Sequence, residues 1–143
     1  MNFTEIWQQY DFTEAELLSM NWQPTNDYIL NLNYYWELNS SEAEVATVDQ
    51  PLKVTLVSCI RLQVEFLPQI SLFAGDTSTN PKNLGTIVGW RQVTPSPWIE
   101  NLGLSPENWL HLEFNIGSVN KIEALCRSLT VEQISTQELI LSY

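Results

Sequence analysis

The chain has 143 residues, of which 44% are hydrophobic and 16% are charged, and its 17 acidic and 6 basic residues give a formal net charge of −11. This length and composition predict a single ordered globular domain, 1–143, and exclude a disordered chain, which would contain fewer aromatic and more charged residues. The small number of Lys and Arg residues argues against binding to nucleic acid or to an anionic membrane surface, because both depend on basic side chains.

The negative charge is concentrated on the amino-terminal side of the chain. Residues 1–52 contain nine carboxylates and no Lys or Arg, whereas residues 53–143 contain eight carboxylates and all six bases. The amino terminus has no basic stretch followed by an apolar core, and no run approaches 18 apolar residues. Neither a secretory signal nor a membrane span is therefore predicted, and we expect a cytoplasmic protein.

The first part of the chain, 1–25, is predicted to be helical. One short helix is predicted over 4–10, where a threonine can serve as the cap, and a second over 14–20, where early glutamates suit the positive end of the helix dipole. Pro24 ends this region. The remainder, 26–143, is predicted to be the β-rich body.

The clearest predicted strand lies at 28–38, where two sets of residues alternate. A period of two places Leu30 and Leu32 on the face toward the core and Tyr35 on the opposite face, beside polar neighbours. The following stretch, 39–50, is polar and acidic and is predicted to be a loop.

A second alternating stretch covers 51–66. Its phase fits either one long strand or two strands separated by a kink near Ser58. Further strands are predicted at 70–73 and 86–93, with a loop rich in polar residues at 75–85.

The last third of the chain is predicted to be an antiparallel meander. Pro95 and Pro97 interrupt the strand pattern before it, and a helical turn is predicted at 105–108. The meander strands are predicted at 110–116, 122–126 and 129–134, with an edge strand at 139–141 through which two copies could pair as a homodimer.

These elements together predict an α+β fold that is mainly antiparallel β-sheet. The sheet is expected to be a curved meander or sandwich-like, with one or two short helices at the amino end.

Few residues in the sequence indicate catalysis or metal binding. The one histidine, His111, lies on the polar side of a predicted strand and is expected to be a surface imidazole, although a Ser-His-acid or Cys-His site would have to use it. Cys59 and Cys126 lie in apolar segments and are expected to be reduced, buried thiols, not nucleophiles or zinc ligands. We therefore expect no catalytic residue, no metal site and no cofactor.

Charge and aromatic residues point instead to recognition of a protein. Tyrosine and tryptophan side chains ringed by carboxylates suit the capture of a cationic protein surface. The residues expected to bind such a partner are Asp27, Tyr35, Glu37, Glu42, Glu44 and Asp49.

Two other interpretations of the sequence remain open. The acidity can serve solubility alone. Alternatively, the protein can be a small-ligand carrier or an accessory domain, which predicts an apolar pocket lined by residues such as Trp36, Phe66 and Phe114.

The segment 54–62, followed by strands at 110–114 and 122–126, resembles small bacterial immunity-type proteins. Proteins of that type neutralise polymorphic toxins by binding them, and they are commonly acidic, cytosolic and non-enzymatic. The resemblance covers about half of the chain and consists of a rhythm of strands. It implies a basic toxin or nuclease as the partner and assigns no particular binding residue.

Overall fold

The computed structural model describes residues 2–36, 48–67 and 84–134. The fold is α+β and mainly β, as predicted, and its eight strands form an antiparallel sheet in the order β4-β7-β6-β5-β1-β2-β3-β8. The elements, in chain order, are α1 (Phe3–Gln9), β1 (Glu16–Gln23), β2 (Asp27–Trp36), β3 (Val48–Val57), β4 (Arg61–Glu65), β5 (Gly85–Gln92), α2 (Pro97–Asn101), β6 (Leu110–Ile116), β7 (Asn120–Cys126) and β8 (Ser128–Gln133).

The sheet turns a corner where the chain bends twice, once between β3 and β4 and once between β7 and β8. β3 leads through 58–60 into β4, and β7 leads through Arg127 into β8. β3 pairs with β8 and β4 pairs with β7, so the two segments stay paired on both sides of the bend. At the bend, Arg127 N–H donates to Val57 O and Ile60 N–H donates to Leu125 O, each at 2.9 Å. Strands that pass from one layer to another in this way form the corners of packed sheets.

The corner produces two layers that share one core. The first layer contains β1, β2, β3 and β8, and the second contains β4, β7, β6 and β5, with a short pairing of β1 and β5 joining the layers. Burying each large apolar side chain contributes about 2 kcal/mol relative to exposure. The buried cluster includes Leu30, Leu32, Leu52, Val54 and Leu56 from the first layer, Phe114, Ile116 and Ile122 from the second, and Ile6 from α1.

Most of the predicted strands are confirmed. Leu30 and Leu32 face the core as their alternation predicted. The stretch 51–66 contains two strands, β3 and β4, with the bend at the position predicted near Ser58. The strands predicted at 86–93 and through the carboxyl-terminal meander correspond to β5, β6, β7 and β8.

The second predicted helix, 14–20, is wrong. Glu14 has a φ angle of 77°, which no α-helix accommodates, and the chain then forms β1, which pairs with β2 along its length. Leu17 becomes fully buried between the layers. The tertiary requirement for a strand at this position overrides a helix propensity that is only a weak local preference.

The boundaries of several predicted loops and strands change or cannot be compared. β3 begins at Val48, so the predicted loop 39–50 is too long at its carboxyl end. The rest of that loop, most of 75–85, and the strands predicted at 70–73 and 139–141 lie outside the described residues.

The short helix α2 is not among the predicted elements, because Pro95 and Pro97 in the sequence indicate only an interruption of the strand pattern. Ser96 caps it, since its Oγ accepts a hydrogen bond from Ile99 N–H at 3.1 Å, and Pro97 occupies the first helical position. Serine followed by proline is a common start of a helix. In the part of the chain that the structure describes, neither helix is long and apolar enough to cross a membrane.

Candidate functional site

Three carboxylates near the amino terminus form what we call the acidic segment: Glu5, Asp11 and Glu14. Glu5 lies in the first turn of α1, and the other two lie between α1 and β1. All three residues are exposed, and none makes an ion pair with a Lys or Arg that the structure describes. Their negative charge is therefore not neutralised by the described bases.

Local hydrogen bonds hold the backbone of the acidic segment. Asn2 caps α1, with its Oδ1 accepting from Glu5 N–H at 2.9 Å. Asp11 Oδ1 accepts from Thr13 N–H at 3.0 Å, and Glu14 N–H donates to a carbonyl of β5 at 2.6 Å. The three carboxylates are thus carried on an ordered backbone.

An exposed tryptophan, Trp7, lies within this segment. Its side chain remains 47% exposed, although its ring centroid is 4.6 Å from that of Trp90 and 6.1 Å from that of Phe3. Trp90 in turn contacts Phe12 and Phe114 in the core. A large aromatic side chain that is exposed yet supported by packed neighbours suits a protein contact, because little side-chain entropy is lost on binding.

Two of the residues predicted to bind a partner lie on neighbouring strands at one end of the first layer. Tyr35 and Asp49 are opposite each other in the register of β2 and β3. The neighbouring Tyr34 accepts a hydrogen bond through its hydroxyl from Asp11 N–H at 3.4 Å. This contact brings the end of the β2–β3 pair next to the acidic segment.

Asp27 does not share that surface. It begins β2, eight residues before Tyr35, which is about 26 Å along an extended strand. Its carboxylate accepts a hydrogen bond from Ser58 N–H at 3.0 Å, at the bend between the layers. Asp27 thus lies at the bend, apart from Tyr35 and Asp49, and Glu37, Glu42 and Glu44 lie outside the described residues.

Four of the five described bases have an identified side-chain partner, and none of these partners is Glu5, Asp11 or Glu14. Lys53 lies on β3, opposite Glu132 of β8 in the register. The other four interact as follows: Arg61 stacks over Trp98 at 4.0 Å, Arg127 lies over Trp109 at 5.3 Å, Arg91 pairs with Glu113 at 3.3 Å, and Lys121 pairs with Glu123 at 3.5 Å.

His111 lies at the centre of a hydrogen-bonded chain on the outer face of the second layer. Its Nδ1 is 2.6 Å from Ser96 Oγ, and its Nε2 is 2.5 Å from Glu123 Oε2. Since a carboxylate only accepts, Nε2–H donates to Glu123, and with this tautomer Nδ1 of a neutral ring accepts from the Ser96 hydroxyl. The same hydroxyl accepts from Ile99 N–H.

The expectation that His111 is a surface imidazole is wrong. β6 does place it on the polar face, as the alternation predicted, but the residue is only 1% exposed. The segment containing α2 covers this part of the face, and the Trp98 ring stacks on the imidazole with centroids 4.3 Å apart. Sequence alternation assigns the face of a strand but does not show which segment covers that face.

The chain of Ser96, His111 and Glu123 contains the residue types of a hydrolase triad, but its geometry does not suit nucleophilic attack. Ser96 is buried, and its oxygen is engaged both by the Ile99 amide and by the imidazole. A catalytic serine must reach a substrate carbonyl. The arrangement instead fixes the start of α2 to the sheet.

Both cysteines are buried and free, which confirms their predicted burial. Burial raises the pKa of the Cys59 thiol from 9.0 to about 11, against the smaller opposing effect of hydrogen bonds with the backbone of Arg61 and Leu125. Burial also raises the pKa of Cys126. A nucleophilic cysteine requires the opposite shift, because the thiolate is the reactive form.

A polar groove of about 450 Å³ lies beside the β6–β7 turn. Its lining is mainly polar, whereas a small-ligand carrier is expected to have an apolar pocket. Two of the residues expected to line such a pocket do not line this groove, because Phe114 is fully buried in the core and Phe66 packs against the core. Within the described ranges, no group of three or more His, Cys, Asp or Glu side chains is placed to hold a metal ion. The groove is lined by Glu65, Val88, Gly89, Asn115, Gly117, Ser118, Val119, Asn120 and Lys121.

Two features of these surfaces were not predicted from the sequence. The exposure of Trp7 follows from the crowding of aromatic rings around Trp90, which sequence periodicity does not describe. The partnership of His111 and Glu123 depends on the register of β6 and β7. The one local signal for the role of Ser96 is the pair Ser96-Pro97, because serine followed by proline is a common start of a helix.

No protein-family model matches this chain, and comparison with curated proteins and with solved structures found no similar protein.

Proposed function

We propose that this protein is a non-catalytic binding module that recognises a basic protein through the acidic segment and the adjoining end of β2 and β3. The observation that carries the proposal is the exposure of Glu5, Asp11 and Glu14 without an ion-pair partner among the described bases. Four of the five described bases are meanwhile engaged elsewhere by tryptophans and glutamates.

Uncompensated carboxylates favour a cationic partner in two ways. Their field raises the rate of encounter with a positively charged protein, and it disfavours acidic competitors. Trp7 supplies an apolar contact among these charges, and an arginine of the partner can stack on its exposed ring. Tyr35 and Asp49, at the adjoining end of β2 and β3, are proposed to extend this surface.

We propose, more narrowly, that the partner is a basic toxin or nuclease and that the protein acts in the cytoplasm as its immunity-type inhibitor. A nuclease must present Lys and Arg to bind phosphates, which makes it a natural target for an acidic surface. The absence of an accessible nucleophile at Ser96 and the raised pKa of the Cys59 thiol support a role in binding and not in catalysis.

The proposal is tested with two variants that each remove three negative charges. The test variant is E5Q/D11N/E14Q, in which the amide introduced in place of Asp11 retains an oxygen that can accept from Thr13 N–H. The matched control is E100Q/E107Q/E132Q, whose three positions are also exposed. Binding of each protein to an arginine-rich peptide and to a purified basic ribonuclease is measured by calorimetry at low and high salt.

We expect the test variant to lose about tenfold in affinity, because each exposed charge contact contributes roughly 0.2–1 kcal/mol. The control variant is expected to lose much less, and both differences should shrink at high salt. Equal losses in the two variants, or binding that salt does not weaken, would show that the acidic segment is not the recognition surface. Capture experiments from bacterial lysate with the same pair of variants then identify the natural partner.

A further inference from the structure

The strand β4 has a free edge. It pairs with β7 on one side and stands at the end of the strand order, so the described residues provide no strand partner for its other side. An unpaired edge presents backbone N–H and C=O groups that can bind another strand.

The apolar face of β4 is also incompletely covered. Alternation directs Leu62 and Val64 toward the same side as the core residues of β7, yet Val64 remains 37% exposed and Ile60, just before the strand, remains 48% exposed. The neighbouring β7 residues Ile122 and Ala124 are fully buried. The uncovered apolar surface therefore begins at β4 and does not extend into the adjacent strand.

The sequence of β4 is complementary to itself in an antiparallel arrangement. If two copies pair about Gln63, Arg61 of one copy lies opposite Glu65 of the other, and the same pair recurs on the far side of the twofold axis. On the opposite face, Leu62 lies opposite Val64 of the second copy. Directly opposite residues share a face of the sheet, so charges meet charges of opposite sign and apolar residues meet apolar residues.

We propose that β4 pairs with β4 of a second copy of this chain and joins the two second layers into one continuous sheet. An interface of this kind is isologous, with the same strand used by both copies. The Arg61 guanidinium lies over the Trp98 ring, and Glu65 accepts a hydrogen bond from Gln63 and is opposite Lys121 in the register with β7. Neither Arg61 nor Glu65 makes an ion pair with another described residue, so each keeps its charge available to a second copy.

β8, the strand at the other end of the order among the described residues, is less suited to such pairing. The only charged residue in this strand is Glu132, so an antiparallel pair of β8 strands brings no opposite charges together. Ser128, Thr130 and Gln133 are exposed, and they offer little apolar surface to bury. The distribution of charge and apolar exposure thus selects β4.

The test uses the full-length protein in sedimentation velocity over a concentration series at physiological ionic strength. We expect the weight-average mass to rise with concentration from 16.5 kDa toward twice that value. E65R places two arginines opposite each other and is expected to weaken the dimer by about tenfold. The double variant R61E/E65R restores opposite charges and is expected to recover affinity to within about threefold of the native protein.

Two controls separate this interface from other causes of association. E107R makes the same change of charge at an exposed position outside β4 and is expected to leave the dissociation constant unchanged. Hydrogen exchange is measured on the native protein, without any substitution. The amides of 61–65 should exchange more slowly as protein concentration rises, because pairing of two β4 strands protects them. A mass that stays at 16.5 kDa, an equal effect of E65R and E107R, or a dimer without added protection in 61–65 would each overturn the proposal.

Discussion

At the scale of single residues, His111 combines three interactions that depend on burial. Both ring nitrogens are hydrogen-bonded, and the ring face is covered by Trp98. Water is excluded from this site, so removing one of Ser96, His111 and Glu123 leaves a buried polar group without a hydrogen-bond partner. This lowers the free energy of unfolding by more than the lost hydrogen bond alone. His111 is therefore expected to matter for stability far more than a surface histidine would.

The substitution His111→Ala is expected to lower the free energy of unfolding by about 3 kcal/mol, because it opens a cavity and leaves Ser96 and Glu123 unpaired. Ser96→Ala is expected to cost less, about 1 to 2 kcal/mol, through loss of the helix cap. Urea denaturation measures both. If His111→Ala costs no more than the surface change Glu132→Gln, the hydrogen-bonded chain does not stabilise the fold.

The two thiols provide a second test at this scale. Since burial raises the pKa of Cys59 to about 11, only about one molecule in a thousand carries its thiolate at pH 8. We expect neither Cys59 nor Cys126 to react with iodoacetamide at pH 8 in the native protein, and both to react in urea. Mass spectrometry counts the modified thiols, and rapid native labelling of either one would contradict its burial.

At the scale of elements, the bend that carries two strands from one layer to the other is the decisive feature. Ser58 has a φ angle of 51°, which a residue other than glycine rarely adopts, and it lies at the bend. Asp27 accepts from the Ser58 amide, and Asn26 O accepts from Cys59 N–H at 2.7 Å. The turn between β1 and β2 thereby holds the corner in place.

Asp27→Ala is expected to destabilise the protein by about 1 to 2 kcal/mol, because the Ser58 amide loses its acceptor. Asp27→Asn keeps the accepting oxygen and is expected to cost less than half as much. The comparison also separates structure from charge, since both variants remove the same negative charge. Equal destabilisation in urea would mean that the carboxylate acts by its charge and not as the acceptor.

At the scale of the whole molecule, positive and negative charges are unevenly placed. Two described bases pair with glutamates of the second layer and two lie over tryptophans in or after α2, whereas Glu5, Asp11 and Glu14 have no described counter-charge. Like charges that lack counter-charges repel each other and oppose compaction, and salt screens that repulsion. The net charge should therefore affect stability as well as partner choice.

We expect added KCl to raise the free energy of unfolding by an amount on the order of 1 kcal/mol at neutral pH, because screening relieves repulsion among the carboxylates. The variant E5Q/D11N/E14Q should show a smaller salt dependence than E100Q/E107Q/E132Q. Urea midpoints at several KCl concentrations measure the effect. A midpoint that falls with salt would indicate that the acidic segment is neutralised within the folded protein.

Local pattern in the sequence determined most of the strands other than β1, and the side of them that faces the core, because a period of two is imposed by the backbone itself. It therefore identified Leu30 and Leu32 as core residues, and it left open whether 51–66 is one long strand or two strands with a kink near Ser58. It also located the acidic half of the chain, since charge is a property of composition.

Only the tertiary structure decided which surfaces are covered and which residues meet. His111 is buried because the segment containing α2 covers its face. The predicted helix 14–20 is replaced by a turn at Glu14 and by β1 from Glu16, because β2 pairs with the chain there. Asp27 lies at the corner, far from Tyr35. Each of these outcomes depends on contacts between residues distant in sequence, and local propensities of less than about 1 kcal/mol per residue yield to such contacts.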